Sequence, residues 1–166
     1  GVCSEMIFGA EPKIKEKGIV RIKGPLGTFT LQKDSDKPIV LLATGTGYAP
    51  IHSILLDLIH QNSERQVHFY WGARQQEDLY ALEEAEALIG RLKNAKFLPV
   101  LSKPDSEWKG ESGYVQNVAA QNYPDLGQYE VYACGSPAMT ESAQSLLTQK
   151  CALPEDAFFC DAFSPA

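Results

Sequence analysis

The chain alternates between short apolar runs and longer segments in which apolar residues recur with helical spacing. PIVLLA (38–43), QVHFYWGA (66–73), AKFLPVL (95–101), QYEVYA (128–133) and DAFFCDA (156–162) are short and rich in β-branched and aromatic residues, so each predicts a strand. Between them, PIHSILLDLIHQ, DLYALEEAEALIGRLK, GYVQNVAAQN and PAMTESAQSLLTQ carry the periodicity of helices with one buried face. Five strands alternating with four helices predict an α/β fold, a parallel sheet covered by helices on both faces.

The front of the chain has a different texture. GIVRIKGPLGTFTL breaks into short β-rich pieces at Gly24-Pro25 and Gly27, which predicts a strand, a tight turn and a strand. The polar stretch QKDSDKP then marks a boundary, giving a front segment of residues 1–36 and a main domain of residues 37–166. A length of 166 residues suits one compact domain with a short appendage.

Charge and composition narrow the function. A net charge of −6 argues against binding a nucleic-acid backbone, which needs clustered Lys and Arg. No apolar run approaches the roughly 18 residues of a membrane span, and the N-terminus lacks the basic start and apolar stretch of a signal peptide. Cys3, Cys134, Cys151 and Cys160 show no CxxC spacing, and His52, His60 and His68 no ligand spacing, so no metal site is expected. Reduced thiols in a cytoplasmic protein are the simplest expectation. The ALEEAEAL run reads as the solvated face of a helix.

The chemistry concentrates in two glycine loops. Thr44, Gly45, Thr46, Gly47, Tyr48, Ala49 and Pro50 follow the first strand and lead into a helix. Gly45 and Gly47 let a ligand approach the main chain, and the helix start offers unpaired N–H groups to a pyrophosphate. Chain reversal alone is the competing explanation of such a turn. Cys134, Gly135, Ser136 and Pro137 form a second loop, after the fourth predicted strand. With strand order 3-2-1-4-5, both loops face the crevice where ligands bind in doubly wound sheets. The second strand ends in YWGAR, with Arg74 where an ordinary Rossmann domain has a carboxylate, and no GK[ST] follows Gly47. The ligand is therefore held by some other scheme.

TGTGYAP, YWGAR followed by DLY, CGSPAM and FFCDAF, in this order and spacing, resemble the nicotinamide-binding half of the ferredoxin–NADP reductase family. The reductase components of bacterial oxygenases and deoxysugar dehydratases are the nearest likeness. The resemblance covers nearly the whole chain and implies the strand order used above. GPLGTF resembles the closing hairpin of the family's flavin-binding barrel, and GVCS its flavin-pyrophosphate stretch, which implicates Ser4. The family's upstream RxYS strand is absent, so the chain is expected to be a fragment cut inside the flavin domain, with residues 1–36 a barrel remnant.

The resemblance further implies NAD(P)H as ligand, and FAD held with the help of an upstream domain in cis. Cys134 would lie beside the nicotinamide, acting through contact and not as a nucleophile; a buried core thiol is the alternative. Ser136 and the following helix start would hold the ligand, Met139 would line it, and Phe163 would cover the flavin face. Ser102, Lys103 and Arg74 are the candidate contacts to a 2′-phosphate, but Asp105 and Glu107 repel one, which favours NADH over NADPH. The implied activity is hydride transfer from NAD(P)H to FAD, then single electrons to an iron–sulfur, oxygenase or dehydratase partner. A free-flavin reductase and a non-catalytic dinucleotide sensor are the alternatives.

Overall fold

The computed structural model describes residues 2–163 apart from Ile22 and Pro25, with side chains from Glu5 onward. The chain divides into two compact units, Gly1–Thr28 and Phe29–Ser164.

In the first unit, helix α1 spans Val2–Phe8, and the amide of Ile14 donates to the Met6 carbonyl at 3.0 Å. The predicted strand–turn–strand over residues 18–31 is not formed: among the described residues there is no strand before Ile39. Ile19 is fully exposed and Leu26 75% exposed, so the pattern ahead of Phe29 sits on no packing surface among the described residues. A lone two-stranded hairpin is marginal without one.

The second unit is a six-stranded sheet in the order β4-β3-β2-β1-β5-β6, every pair parallel. The strands are β1 Ile39–Thr44, β2 Val67–Ala73, β3 Ala95–Leu101, β4 Glu111–Ser112, β5 Glu130–Gly135 and β6 Phe158–Ala162. The five predicted strands stand in the predicted order. The correction is the two-residue edge strand β4, pairing with Val100 and Leu101, which is too short and polar to show a pattern. β1 reads IVLLAT, with its first five residues fully buried, as a central parallel strand covered on both faces must be. Pro99 is tolerated in β3 because that strand has an outer neighbour only at its last two residues.

The helices are α2 Tyr48–His60, α3 Leu82–Ile89, α4 Val115–Asn122 and α5 Pro137–Lys150. Alternate strand residues feed two cores. Leu41, Phe69, Trp71 and Tyr132 pack with Ile51, Leu55 and Leu58 of α2 and Ala85 of α3. Leu42, Tyr70, Val131 and Ala133 pack with Val118 of α4 and Ala143 and Leu147 of α5. α3 is shorter than the predicted DLYALEEAEALIGRLK, because Gln76–Asp78 form a 3-10 turn and Leu79–Ala81 are irregular. The chain steps outward from β1 to β2 to β3 and β4, then returns to β5 on the other side of β1. The carboxyl ends of β1 and β5 therefore bound the crevice of the sheet.

Candidate functional site

The two glycine loops interlock at this crevice. Gly45–Gly47 form a 3-10 turn between β1 and α2, in which Gly45 takes a left-handed φ of +52°. No atom lies within 4 Å of the position a Cβ would take there, so Gly45 is required by conformation alone. Gly47 is required by space: a Cβ would fall on the carbonyl of Cys134 and come within 3.0 Å of the Gly135 amide. Gly135 answers from the other side, where a Cβ would fall on the Thr44 hydroxyl and within 2.9 Å of the Met139 methyl. Each loop is thus built to the thickness of the other's backbone.

Aromatic side chains hold the first loop from below. The Trp71 indole donates to the Gly45 carbonyl at 3.1 Å, and its ring stacks on Tyr48 with centroids 4.3 Å apart. Tyr80 meets Trp71 edge-on at 5.2 Å. The Tyr48 hydroxyl donates to Glu84, which also faces His52 at 3.3 Å. Burial first, then the Glu84 charge, pushes that hydroxyl far above the ordinary tyrosine range, so it stays protonated.

Beside the loops lies a cavity of about 910 Å³, within the roughly 300–1,000 Å³ of small-molecule sites. Thr44, Gly45 and Thr46 form one part of its wall, Arg74 and Ser102 another, and Ser136 and Met139 a third. The strand ends after β2 and β3 run on together here: the Ser102 amide donates to Ala73 and the Lys103 amide to Arg74, both at 3.0 Å. The Ser136 hydroxyl accepts from the Met139 amide at 3.3 Å, capping α5, and keeps its own proton free to donate. The start of α2 has no side-chain cap. The Tyr48 amide is spent on the Gly45 carbonyl and Pro50 has no N–H, so the open main-chain donors are those at the start of the 3-10 turn, which has no side-chain cap either.

Other expected residues stand off the wall. Gly47 and Gly135 are buried between the loops. Ala49 and Pro50 lie in the first turn of α2, Pro137 opens α5, and Lys103 is exposed without reaching the cavity. Phe163, 38% exposed, is tied to the second loop by its amide, which donates to Gly135 at 2.8 Å. Ser4 falls in α1, but its side chain lies outside the described residues. Cys134 is fully buried beneath the glycine turn. Burial, then the Asp161 charge and Cys160, pushes its thiol up to about 12, so it is a neutral thiol at physiological pH. Thiol labelling at pH 8 followed by mass mapping is expected to modify the exposed Cys160 ahead of buried Cys134 and Cys151.

Residues not named as ligand contacts from the sequence, although Tyr80 belongs to the DLY motif, complete the wall. Tyr80 and Tyr114 present rings that are 58% and 63% exposed. Gln116 is 6% exposed; its amide nitrogen donates to Ser142 at 3.1 Å, while its Oε1 has no partner among the described residues. The signal for Tyr114 and Gln116 was available, because they follow the third predicted strand on its carboxyl side, where ligands collect. An unpartnered buried acceptor, uncapped main-chain donors at the glycine turn and two open aromatic faces fit an elongated ligand with phosphates and flat rings.

Comparison with known proteins gives the same assignment. The model of the oxidoreductase NAD-binding domain matches residues 41–145. The chain is 41% identical over its whole length to a CDP-6-deoxy-L-threo-D-glycero-4-hexulose-3-dehydrase reductase of Yersinia pestis, covering 49% of that protein. It is 37% identical to the reductase component of a Rhodococcus jostii propane 2-monooxygenase, over 89% of this chain and 41% of the relative. The chain thus spans about half the length of these curated relatives or less. Among solved structures, the Amycolatopsis cytochrome P450 reductase superposes with a TM-score of 0.79 at 28% identity, covering 86% of this chain and 43% of that one. The chain belongs to the oxidoreductase NAD-binding domain family, in its ferredoxin–NADP reductase-like branch.

Proposed function

We propose that this chain is the NAD(P)H-binding part of a flavin-dependent reductase whose flavin is held mainly by a domain preceding it, residues 1–36 being the end of that domain. The observation that carries this is the interlock of the two glycine loops beside a cavity of dinucleotide size. When bound, NAD(P)H supplies a hydride and the flavin accepts it, releasing electrons singly to an acceptor. The reductase components among the relatives support an oxygenase or dehydratase partner, reached directly or through an iron–sulfur carrier. The free thiols of Cys134, Cys151 and Cys160 agree with work in the reducing cytoplasm. No helix among the described residues is long and apolar enough to cross a membrane.

Each group has a task in this scheme. The turn Thr44 to Gly47 offers main-chain N–H groups to the pyrophosphate, and Ser136 adds a hydroxyl donor. Gln116 accepts a hydrogen bond from the ligand, and the rings of Tyr80 and Tyr114 give it flat apolar faces. Cys134 keeps the loop thin and presents an uncharged, polarisable atom beneath it. With its raised pKa it neither attacks the ligand nor exchanges a proton at neutral pH. These loops orient the ligand and exclude water, which is the protein's share of such chemistry.

NADH is favoured over NADPH. Among the described residues the wall carries one cationic side chain, Arg74, together with the carboxylate of Asp78. The Ser102 hydroxyl donates to the Ala73 carbonyl, and Asp105 caps the amides of Glu107 and Trp108 nearby. Calorimetric titration should give saturable NADH binding, with NADPH at least about tenfold weaker, a difference of about 1.4 kcal/mol. Failure of both to bind, in this chain and in the full-length flavin-loaded protein alike, would sink the proposal.

A further inference from the structure

At the end of the sheet away from the cavity, the connection from Phe29 to β1 is tied down by a buried ion pair. The side chains of Arg65 and Glu130 are each 7% exposed and meet at 2.6 Å. Arg65 spends its other donors on the connection: Nε on the Lys37 carbonyl at 2.6 Å and a terminal nitrogen on the Gln32 carbonyl at 3.3 Å. The Tyr132 hydroxyl donates to Glu130 at 2.9 Å and accepts from the Gln32 amide at 3.0 Å. Tyr132 is itself held between Phe29, edge-on at 6.1 Å, and Phe159, stacked at 4.9 Å. Leu31 is buried in the same core.

This is more fastening than a surface connection needs. A buried ion pair often contributes no net stability over apolar residues of the same volume, whereas it does fix geometry. The geometry fixed here concerns β5. Glu130, Tyr132 and Cys134 alternate along that strand and share one face, so the clamp and the thiol under the glycine turn sit about 13 Å apart on one rigid element.

Resting on the functional reading above, we propose that Arg65 is a positioning residue for electron transfer. By binding the connection to the β5 face that ends in Cys134, it fixes where the chain enters the dinucleotide unit and so the alignment of the flavin domain that ends in this connection. Its effect is then on the reacting distance and not on dinucleotide affinity, because the clamp is remote from the cavity wall.

The test uses the full-length, flavin-loaded protein and two variants: Tyr132→Phe, and Arg65→Met combined with Glu130→Gln, which leaves no buried charge. Stopped-flow reduction at saturating NADH should slow by about tenfold or more in the double variant and by less in Tyr132→Phe. KM for NADH should stay within about twofold of wild type. The long-wavelength absorbance of the nicotinamide–flavin contact should weaken in the same order. Unchanged reduction rates would overturn the proposal, even with a lowered melting temperature, since they would leave Arg65 a purely structural role. A matching rise in KM would overturn it too, by placing the effect on binding. A wild-type protein that reduces its flavin with neither NADH nor NADPH would overturn the functional reading and this inference together.

Discussion

Gly47→Ala is expected to destabilise the second unit by about 3 kcal/mol, at the upper end of ordinary overpacking, and to abolish dinucleotide binding. The added methyl meets the Cys134 carbonyl and the Gly135 amide, all main chain. No rotamer change relieves that clash. The two loops must separate, and the crevice between β1 and β5 opens with them. Gly45→Ala is the internal control: its methyl points into open space, so the cost is only the left-handed backbone, about 1–2 kcal/mol. Urea midpoints on the two variants check this, and an NADH titration of Gly47→Ala checks the loss of binding. Equal losses would mean that the interlock of the loops is not what the second glycine provides.

Arg65→Leu should cost about 3–5 kcal/mol at neutral pH, because it strands Glu130 as a buried charge without its cation. The deficit should also depend on pH. In the wild type, burial alone would raise the Glu130 carboxyl, but hydrogen bonds from Ser35, Arg65 and Tyr132 and the Arg65 charge outweigh it and hold the group below its ordinary value of 4.5. A depressed carboxyl stabilises the fold above the unfolded value, and that contribution is lost as pH falls through the folded one. Without Arg65, the carboxyl loses its counter-charge and one hydrogen bond, and burial pushes it upward. The deficit is then largest at neutral pH and shrinks as acid protonates Glu130. Denaturation at pH 7 and pH 5 measures this; a deficit independent of pH would place the loss in packing instead.

The central strands were legible because burial on both faces leaves continuous apolar runs, as in IVLLAT and VHFYWGA. Glu111 and Ser112 showed nothing, since a two-residue edge strand is defined by its neighbour and not by its own composition. The front hairpin failed for the opposite reason: the pattern is present, but Ile19 and Leu26 stand exposed, and only Phe29 and Leu31 reach a core. At the site, the glycine loops were readable because their constraints are local. The far wall was readable only as the segment after the third predicted strand, because which side of a helix Gln116 or Ser142 faces is decided by how α4 and α5 pack. Arg65 and Glu130 were invisible for a related reason: one lies in a polar loop, the other opens an apolar strand, and only the fold makes them partners.

The place of β1 in the sheet also governs how the molecule is made. Ile39 pairs with Val67 on one side and with Glu130 on the other, across more than half of the chain. On the ribosome β1, β2 and β3 are complete before β5 emerges. The most apolar strand therefore waits with one row of main-chain N–H and C=O groups unpaired, a template for wrong partners. Pairings that close such long loops are the slow ones. The nascent chain is most exposed to aggregation in that interval, and its ligand crevice comes into existence only with the contact that ends it.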